Sequence, residues 1–595
     1  MPRQAALTAR GASPPAFDRR CIPPGGVAPL SNTPGILGRR ALPAGRIPGL
    51  VPRRHARDAL SGVEGSLSKG GATTHLHHGL LTVAAWALAI ASVTCSGARP
   101  ADPGIIRVAI VSSPNSLDPR VGTDEVSQRI HQLIYDQLFR IDDQLRVSPG
   151  LATGWTQPSP ETYVVSLRKG VTFHDGHELT SADVAYTFSS FLDPQFVSPR
   201  KGAYRTLLGV RAIDRYSVEF TLREPFGSFP VNLVMPIVPD GAGPSLKDHP
   251  VGTGPYRFVR SLTDDRIDLE AFEAYAEGPP RNRGLLLRVI PDDVMRGLEL
   301  RQGGVDLVVN DLAPDIVRQL ERADRLRVVT GPGTDYAYVG INLRDPILKD
   351  LRVRHALAHA IDRQGIVDHL RRGLASPAVG ILPPMSWAFE PRVPQYAYDA
   401  QLAGHLLDEA GFPDPDGAGP LARFSLTLKV SSTEFNRLQS SVIQENLRRV
   451  GIALDVRAYE FATLYADVLA GHFQLFTLQW VGVSDPDMLR RVFHSRQMPP
   501  TGFNRGFFSD SRVDDLIDQA TVSTNDEQRR ALYGHVQRVV AEQCPYISLW
   551  YKTNVVVAQP TLDGIELSPA ADFRFLRNVR RVDAPSPVAG PVAPR

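Results

Sequence analysis

The chain has 595 residues, 43% hydrophobic and 22% charged, enough for about three or four domain-sized units with large apolar cores. Its formal net charge of +3 is unevenly spread, with 11 Lys and Arg against 3 Asp and Glu in residues 1–78 and 55 against 60 in the remainder. The body is thus mildly acidic with both signs interspersed, which excludes a nucleic-acid footprint, and three cysteines (Cys21, Cys95, Cys544) exclude a disulfide framework and lack metal-ligand spacing.

Residues 1–78, rich in Arg, Pro, Gly and Ala, show no apolar period. They are expected to form a disordered basic extension, unless the chain starts downstream, at Val63 or Leu67. Leu80–Thr94 is an unbroken apolar run that would span about 22 Å as a helix, short of a ~30 Å hydrocarbon core. That length suits a secretory signal, so residues 79–95 read as an export segment. Ser92-Val93-Thr94-Cys95 resembles a lipoprotein lipobox, with Ser in place of the usual Leu and Thr in place of the usual small residue. The resemblance implies lipidation of Cys95; the alternative is plain cleavage nearby. Either places the rest of the chain in the periplasm or at the cell surface.

Further along, Ile105–Val111 reads as a strand, and Thr123 as the N-cap of a helix whose Val126, Ile130, Leu133 and Ile134 form an apolar stripe. Tyr163, Val165 and Leu167 alternate, Lys169-Gly170 turns, and Val171 and Phe173 alternate back, which predicts a hairpin. Thr180 and Asp183 form a capping-box pattern. His174-Asp175-Gly176-His177-Glu178 sets two histidines around a carboxylate, but its Asp-Gly reads as a turn into that helix, not a metal site. Gly252-Thr253-Gly254 lacks phosphate-loop spacing and reads as a bend entering a strand. Residues 285–290, 293–302 and 305–309 predict strand, helix, strand.

From Tyr336 on, strands near 336–342, 424–430, 452–456 and 473–480 alternate with helices after Asp350 and near 399–410, 434–450 and 461–468. Gly411, Gly451 and Gly471 stop helices. The rhythm predicts α/β architecture with a mainly parallel sheet. Helices near 513–520 and 526–541 follow, and apolar strands at 547–557 must pack against earlier parts of the chain.

Five segments in order resemble solute-binding protein family 5, the dipeptide- and oligopeptide-binding proteins of ABC importers: residues 116–140, 151–188, 251–259, 340–363 and 438–461. The likeness covers about residues 104–575. It implies a two-lobed periplasmic-binding-protein fold of the large peptide-binding type, with two hinge crossings and an inserted subdomain. One lobe would comprise 104–147, 250–337 and 548–580 with the subdomain 148–249; the other would be 338–547, and 581–595 a disordered tail. The implied function is capture of a small ligand, a peptide or peptide-like solute, by lobe closure and delivery to a membrane permease served by separate ATPase subunits. No enzymatic activity and no cofactor are implied, and a monomer is expected. A surface receptor or sensor on the same fold is the alternative.

The resemblance also implies a pocket. Trp480 matches the family's aromatic at the strand end facing the cleft. Three residues later, where peptide binders carry an Asp for the ligand's α-ammonium, stands Val483, followed by Ser484. Asp485 either substitutes for that Asp or belongs to a helix-starting turn with Pro486 and Asp487. Thr123, Asn342, Phe503 and Asn504 complete the candidate ligand-binding set. The chain shows no G-x-S-x-G elbow, no H-E-x-x-H and no paired cysteines, in keeping with a binding protein.

Overall fold

Alternating burial builds the strands, and side-chain caps and glycines set the helix limits. A computed structural model describes Asp102 and residues 104–323, 326–417 and 419–582. The basic extension, the export segment with Cys95 and residues 583–595 of the expected tail lie outside these. The tail does not begin at 581, because Arg580–Arg581 form a strand.

In chain order, β1 (Ile105–Ile110) is followed by the helix Glu125–Ile134. Asp124, not Thr123, caps this helix, its carboxylate accepting from Ser127 N at 2.9 Å. β2 (Phe139–Ile141) pairs with β3 (Val147–Pro149). β4 (Ala152–Ser159), β5 (Thr162–Leu167), β6 (Leu207–Asp214) and β7 (Ser217–Leu222) form a separate antiparallel sheet, order β4-β5-β7-β6, over a core containing Phe188, Phe220 and Phe229. The predicted hairpin return at 171–173 is not a strand. Thr172 makes one bridge to Glu178, because Phe173 N turns back to His177 O, and β5 pairs with β4 and β7 instead. His174 donates to Gly254 O at 3.0 Å, and His177 binds Asp175 at 2.6 Å. Thr180 and Asp183 form the expected capping box.

β8 (Tyr256–Leu262), β9 (Arg266–Ala271), β10 (Gly284–Val289) and β11 (Leu307–Val309) return to the sheet of β1. Gly252 and Gly254 lie so close to the backbone of Ile134 that a Cβ at either would clash, which accounts for the glycine pair without a ligand. β12 (Arg327–Ile341) is far longer than the predicted strand. Then come β13 (Ala375–Pro377), β14 (Phe424–Ser431), β15 (Ile452–Tyr459), β16 (Leu475–Trp480), β17 (Tyr546–Ala558), β18 (Leu562–Asp563) and β19 (Arg580–Arg581). Gly411, Gly451 and Gly471 take positive φ of 89°, 80° and 75° at the predicted stops.

Among the described residues the main sheet has eleven strands, running β15-β14-β16-β12-β17-β11-β1-β10-β9-β8 with β13 on β17. The expected mainly parallel sheet is corrected. β14 is parallel to β15 and β16, and β1 to β10 and β11, but β12 and β17 are antiparallel to each other and to their outer neighbours. These two strands run side by side through the middle of the main sheet. Arg327–Pro332 pair with Ala558–Thr553 and Tyr336–Gly340 with Tyr551–Tyr546, and the register slips between the two stretches, beside Gly331-Pro332-Gly333. Cys544 ends the helix Asp526–Gln543 with φ 45°, and burial pushes its thiol up to about 12, so it is inert structure.

Gly340 pairs with Phe476, and a Cβ there would enter the Phe476 ring. Gly340→Ala is therefore expected to cost about 1–3 kcal/mol in urea unfolding; a neutral result would contradict this packing.

Candidate functional site

Where β16 ends beside β12, aromatic side chains collect. Trp480 pairs with Tyr336, the first residue of β12 past the slip. Its indole stacks parallel to Tyr338 with ring centroids 6.5 Å apart, and Phe503 meets it edge-on at 5.6 Å. Tyr338 stacks on Tyr546 at 4.1 Å, and Phe461 on Tyr465 at 5.8 Å. Phe503 is 37% exposed, and Phe461 and Val481 are exposed too. Rigid, partly exposed rings offer a broad apolar contact at little cost in side-chain entropy.

Beneath them lies Arg505, which the sequence reading missed. It is only 5% exposed, with its guanidinium 4.6 Å from the Trp480 ring centre, 5.1 Å from Tyr465 and 5.4 Å from Phe503. Nη1 donates to Tyr338 Oη at 3.2 Å and Nη2 to Tyr465 Oη at 3.1 Å. One signal could have found it: a lone cation in the aromatic run Phe503-Asn504-Arg505-Gly506-Phe507-Phe508.

Asp335 fastens this wall to the crossing. Its carboxylate accepts from Gln479 Nε2 at 2.9 Å and Gly482 N at 3.0 Å, and Val483 N donates to Thr334 O at 3.1 Å.

The structure brings Trp480 and Phe503 together and gives other candidates different work. Val483 is 2% exposed in the apolar cluster of Tyr336, Tyr338 and Phe476, so it lines core, not ligand. Asn504 is 1% exposed, its amide donating to His494 O and Phe508 O while its Oδ1 accepts from Phe508 N. It is a loop brace, because a buried amide must find partners. Asn342 is likewise buried, donating to Phe473 O at 2.8 Å and accepting from Arg344 N. Thr123 stands exposed, its carbonyl accepting from Gln128 Nε2, and Ser484 is half-buried.

The family model for bacterial extracellular solute-binding proteins, family 5 (middle), matches residues 146–499. The chain belongs to this family. It is 29% identical over 503 residues to the oligopeptide-binding protein AppA of Bacillus subtilis (strain 168), covering 80% of this chain and 92% of that protein. It is 28% identical over 509 residues to the glutathione-binding protein GsiB of Escherichia coli O157:H7, covering 82% and 97%. Among solved structures, Bacillus subtilis AppA in complex with a nonapeptide superposes with a TM-score of 0.65 at 27% identity, covering 80% and 98%. The ABC transporter substrate-binding protein CtaP of Listeria monocytogenes gives 0.73 at 25% identity, covering 81% and 99%. This family-5 protein is accordingly an extracytoplasmic solute-binding subunit of an ABC importer. It binds and does not catalyse, and its partners are a solute and the importer's permease and ATPase subunits.

A second feature of the family-5 chain is an opening of about 740 Å³ beside the four-stranded sheet, lined by Tyr163, Ser228, Trp387, Asp485 and Arg529 among others. Contacts cross around it: Arg529 Nη2 donates to Ser228 Oγ at 2.6 Å, Gly227 N to Thr521 O at 2.7 Å, and Trp387 N to Gln144 O at 3.1 Å. Asp485 takes the turn alternative, its Oδ1 accepting from Asp487 N at 2.7 Å ahead of the helix Met488–Phe493.

Burial, then the charge of Asp487, pushes the Asp485 carboxyl up to about 6. A carboxyl raised on folding binds its proton more tightly in the native state. Its stabilisation is complete below the ordinary carboxylate range and is lost as pH rises through about 6. Asp485→Asn keeps the acceptor for Asp487 N without the charge. It is expected to raise Tm at pH 7.5 and leave it unchanged at pH 4, as read by differential scanning calorimetry; an equal shift at both pH values would refute the assignment.

Proposed function

We propose that the solute is a peptide or peptide-like compound, captured when the two lobes close on it and then handed to the permease. The observation that carries this reading is the position of the aromatic wall at the strand crossing: Trp480 and Phe503 stand beside the residues where β12 passes between lobes. A ligand resting there also meets the first lobe on closure. It shifts the population toward the closed state by its differential affinity for that state. Peptide as ligand class is supported by relatives named for oligopeptide and glutathione binding.

The proposal takes 104–147, 250–337 and 548–580 with the subdomain 148–249 as one lobe and 338–547 as the other. It treats Cys95 as the lipid anchor and the working form as a monomer. A thermal-shift screen of peptides of two to nine residues, amines, sugars and metal chelates tests it, with small-angle scattering on each hit. Peptides are expected to raise Tm and lower the radius of gyration. A sugar or chelate that does both, with peptides inert, would overturn the ligand class. Mass spectrometry of the exported form checks the anchor, which fails if Cys95 is absent or unmodified.

A further inference from the structure

Six arginines are almost fully buried among the described residues: Arg120, Arg129, Arg296, Arg354, Arg505 and Arg529. Five end on conventional partners. Arg120 pairs with Asp118, Arg129 with Asp311, and Arg529 reaches Asp526 and Ser228; Arg296 and Arg354 each donate to three backbone carbonyls. Arg505 differs. Its hydrogen bonds go to two phenols, and no carboxylate lies within ion-pair distance among the described residues. Its Nε is buried without an acceptor, as is that of Arg529, and the neighbouring Trp480 Nε1 is also without one.

A guanidinium carries five donors and no acceptor, and an indole N–H also only donates. Desolvating such a charge without a counter-ion is costly, and leaving its donors unpaired adds to that cost. What this corner lacks is an acceptor bearing negative charge. The fork of Nε and Nη matches the two oxygens of a carboxylate. Phe503 and Trp480 are partly exposed residues, and the two unpaired donors lie just beneath that surface. Val483, three residues on, is apolar and buried and itself supplies no anion for an ammonium group.

We infer that Arg505 and Trp480 Nε1 form a seat for a ligand carboxylate, so that this protein holds its solute by an acidic end and not by an amino terminus. The inference rests on the reading of the Trp480 wall as ligand-binding. It narrows the solute to carboxylate-bearing compounds, among which a free α-ammonium contributes little.

The test is calorimetric titration of the purified full-length chain at pH 7.5 with trialanine, N-acetyl-trialanine, trialanine amide and glutarate. N-acetylation is expected to change Kd by less than about 3-fold, and amidation to raise it at least about 30-fold. Arg505→Gln should bring acid and amide within about 3-fold of each other, while Arg505→Lys keeps part of the difference. The seat is overturned if the amide binds the unmodified protein as tightly as the acid, a comparison that needs no variant. It is equally overturned if folded Arg505→Gln retains the discrimination, or if none of the four probes binds. Arg505-dependent binding of glutarate with every peptide inert would remove the peptide reading and leave the carboxylate seat standing.

Discussion

Asp306→Ala is expected to destabilise the protein by about 3–5 kcal/mol, a large part of the 5–15 kcal/mol typical of a folded domain. Asp306 is 0% exposed, and two arginines converge on it. Arg107 binds it through Nε at 3.1 Å, Nη2 at 2.7 Å and its backbone N–H at 2.8 Å, and Arg581 Nη2 adds a contact at 2.6 Å. One carboxylate therefore ties β1 to the approach to β11 and to β19 near the end of the described chain. Removing it strips the acceptor from both guanidiniums and the Arg107 amide, a loss that water repairs only in part. The exposed pair Asp563–Arg580 provides the contrast, because solvent screens it and Asp563→Ala should leave the midpoint unchanged. Urea unfolding of the two variants side by side is the measurement. A loss below about 1 kcal/mol for Asp306→Ala would mean that the cluster does not organise the lobe.

The fold was legible wherever one local rule decided the outcome. Alternation at Phe424, Leu426, Leu428 and Val430 found β14, and Gly411, Gly451 and Gly471 marked helix ends because only the left-handed region continues the chain there. Strand direction was not legible, since a period of two reads the same in parallel and antiparallel pairing. Hence the strand near 336–342 reads as part of a mainly parallel sheet, and the pattern at 547–557 carries no direction. The predicted crossing strand also begins at Tyr336, whereas the structure starts it at Arg327 and carries the ladder past Gly331-Pro332-Gly333 with a slip in register.

Of the candidate site, Trp480 stands out through family resemblance and Phe503 is a further candidate, and the structure sets their rings in contact. Asn342 and Asn504 were misjudged for one reason: an Asn at a strand end or in a loop looks the same in sequence whether its amide faces solvent or braces buried carbonyls. Arg505 is one of 66 Lys and Arg, and its distinction is that its hydrogen bonds go only to two phenols, which only three-dimensional packing reveals.

Trp480→Ala is expected to weaken binding of the tightest peptide by at least about 30-fold, roughly 2 kcal/mol, as for a central aromatic anchor. Three contributions point the same way. The indole supplies the broad face of the wall, it covers the Arg505 guanidinium from water, and it keeps Phe503 edge-on. Water admitted to Arg505 would weaken any charge-assisted hydrogen bond made there. Trp480→Phe keeps a ring against Tyr338 while losing the N–H donor, and should fall between the alanine variant and the unmodified protein. Calorimetric titration reads the affinities, and a melting curve of each unliganded variant separates lost contacts from lost structure. If folded Trp480→Ala binds with unchanged Kd, the wall lies elsewhere in the cleft. The 740 Å³ opening at Asp485 and Arg529 then becomes the site to probe, with Arg529→Gln as its first variant.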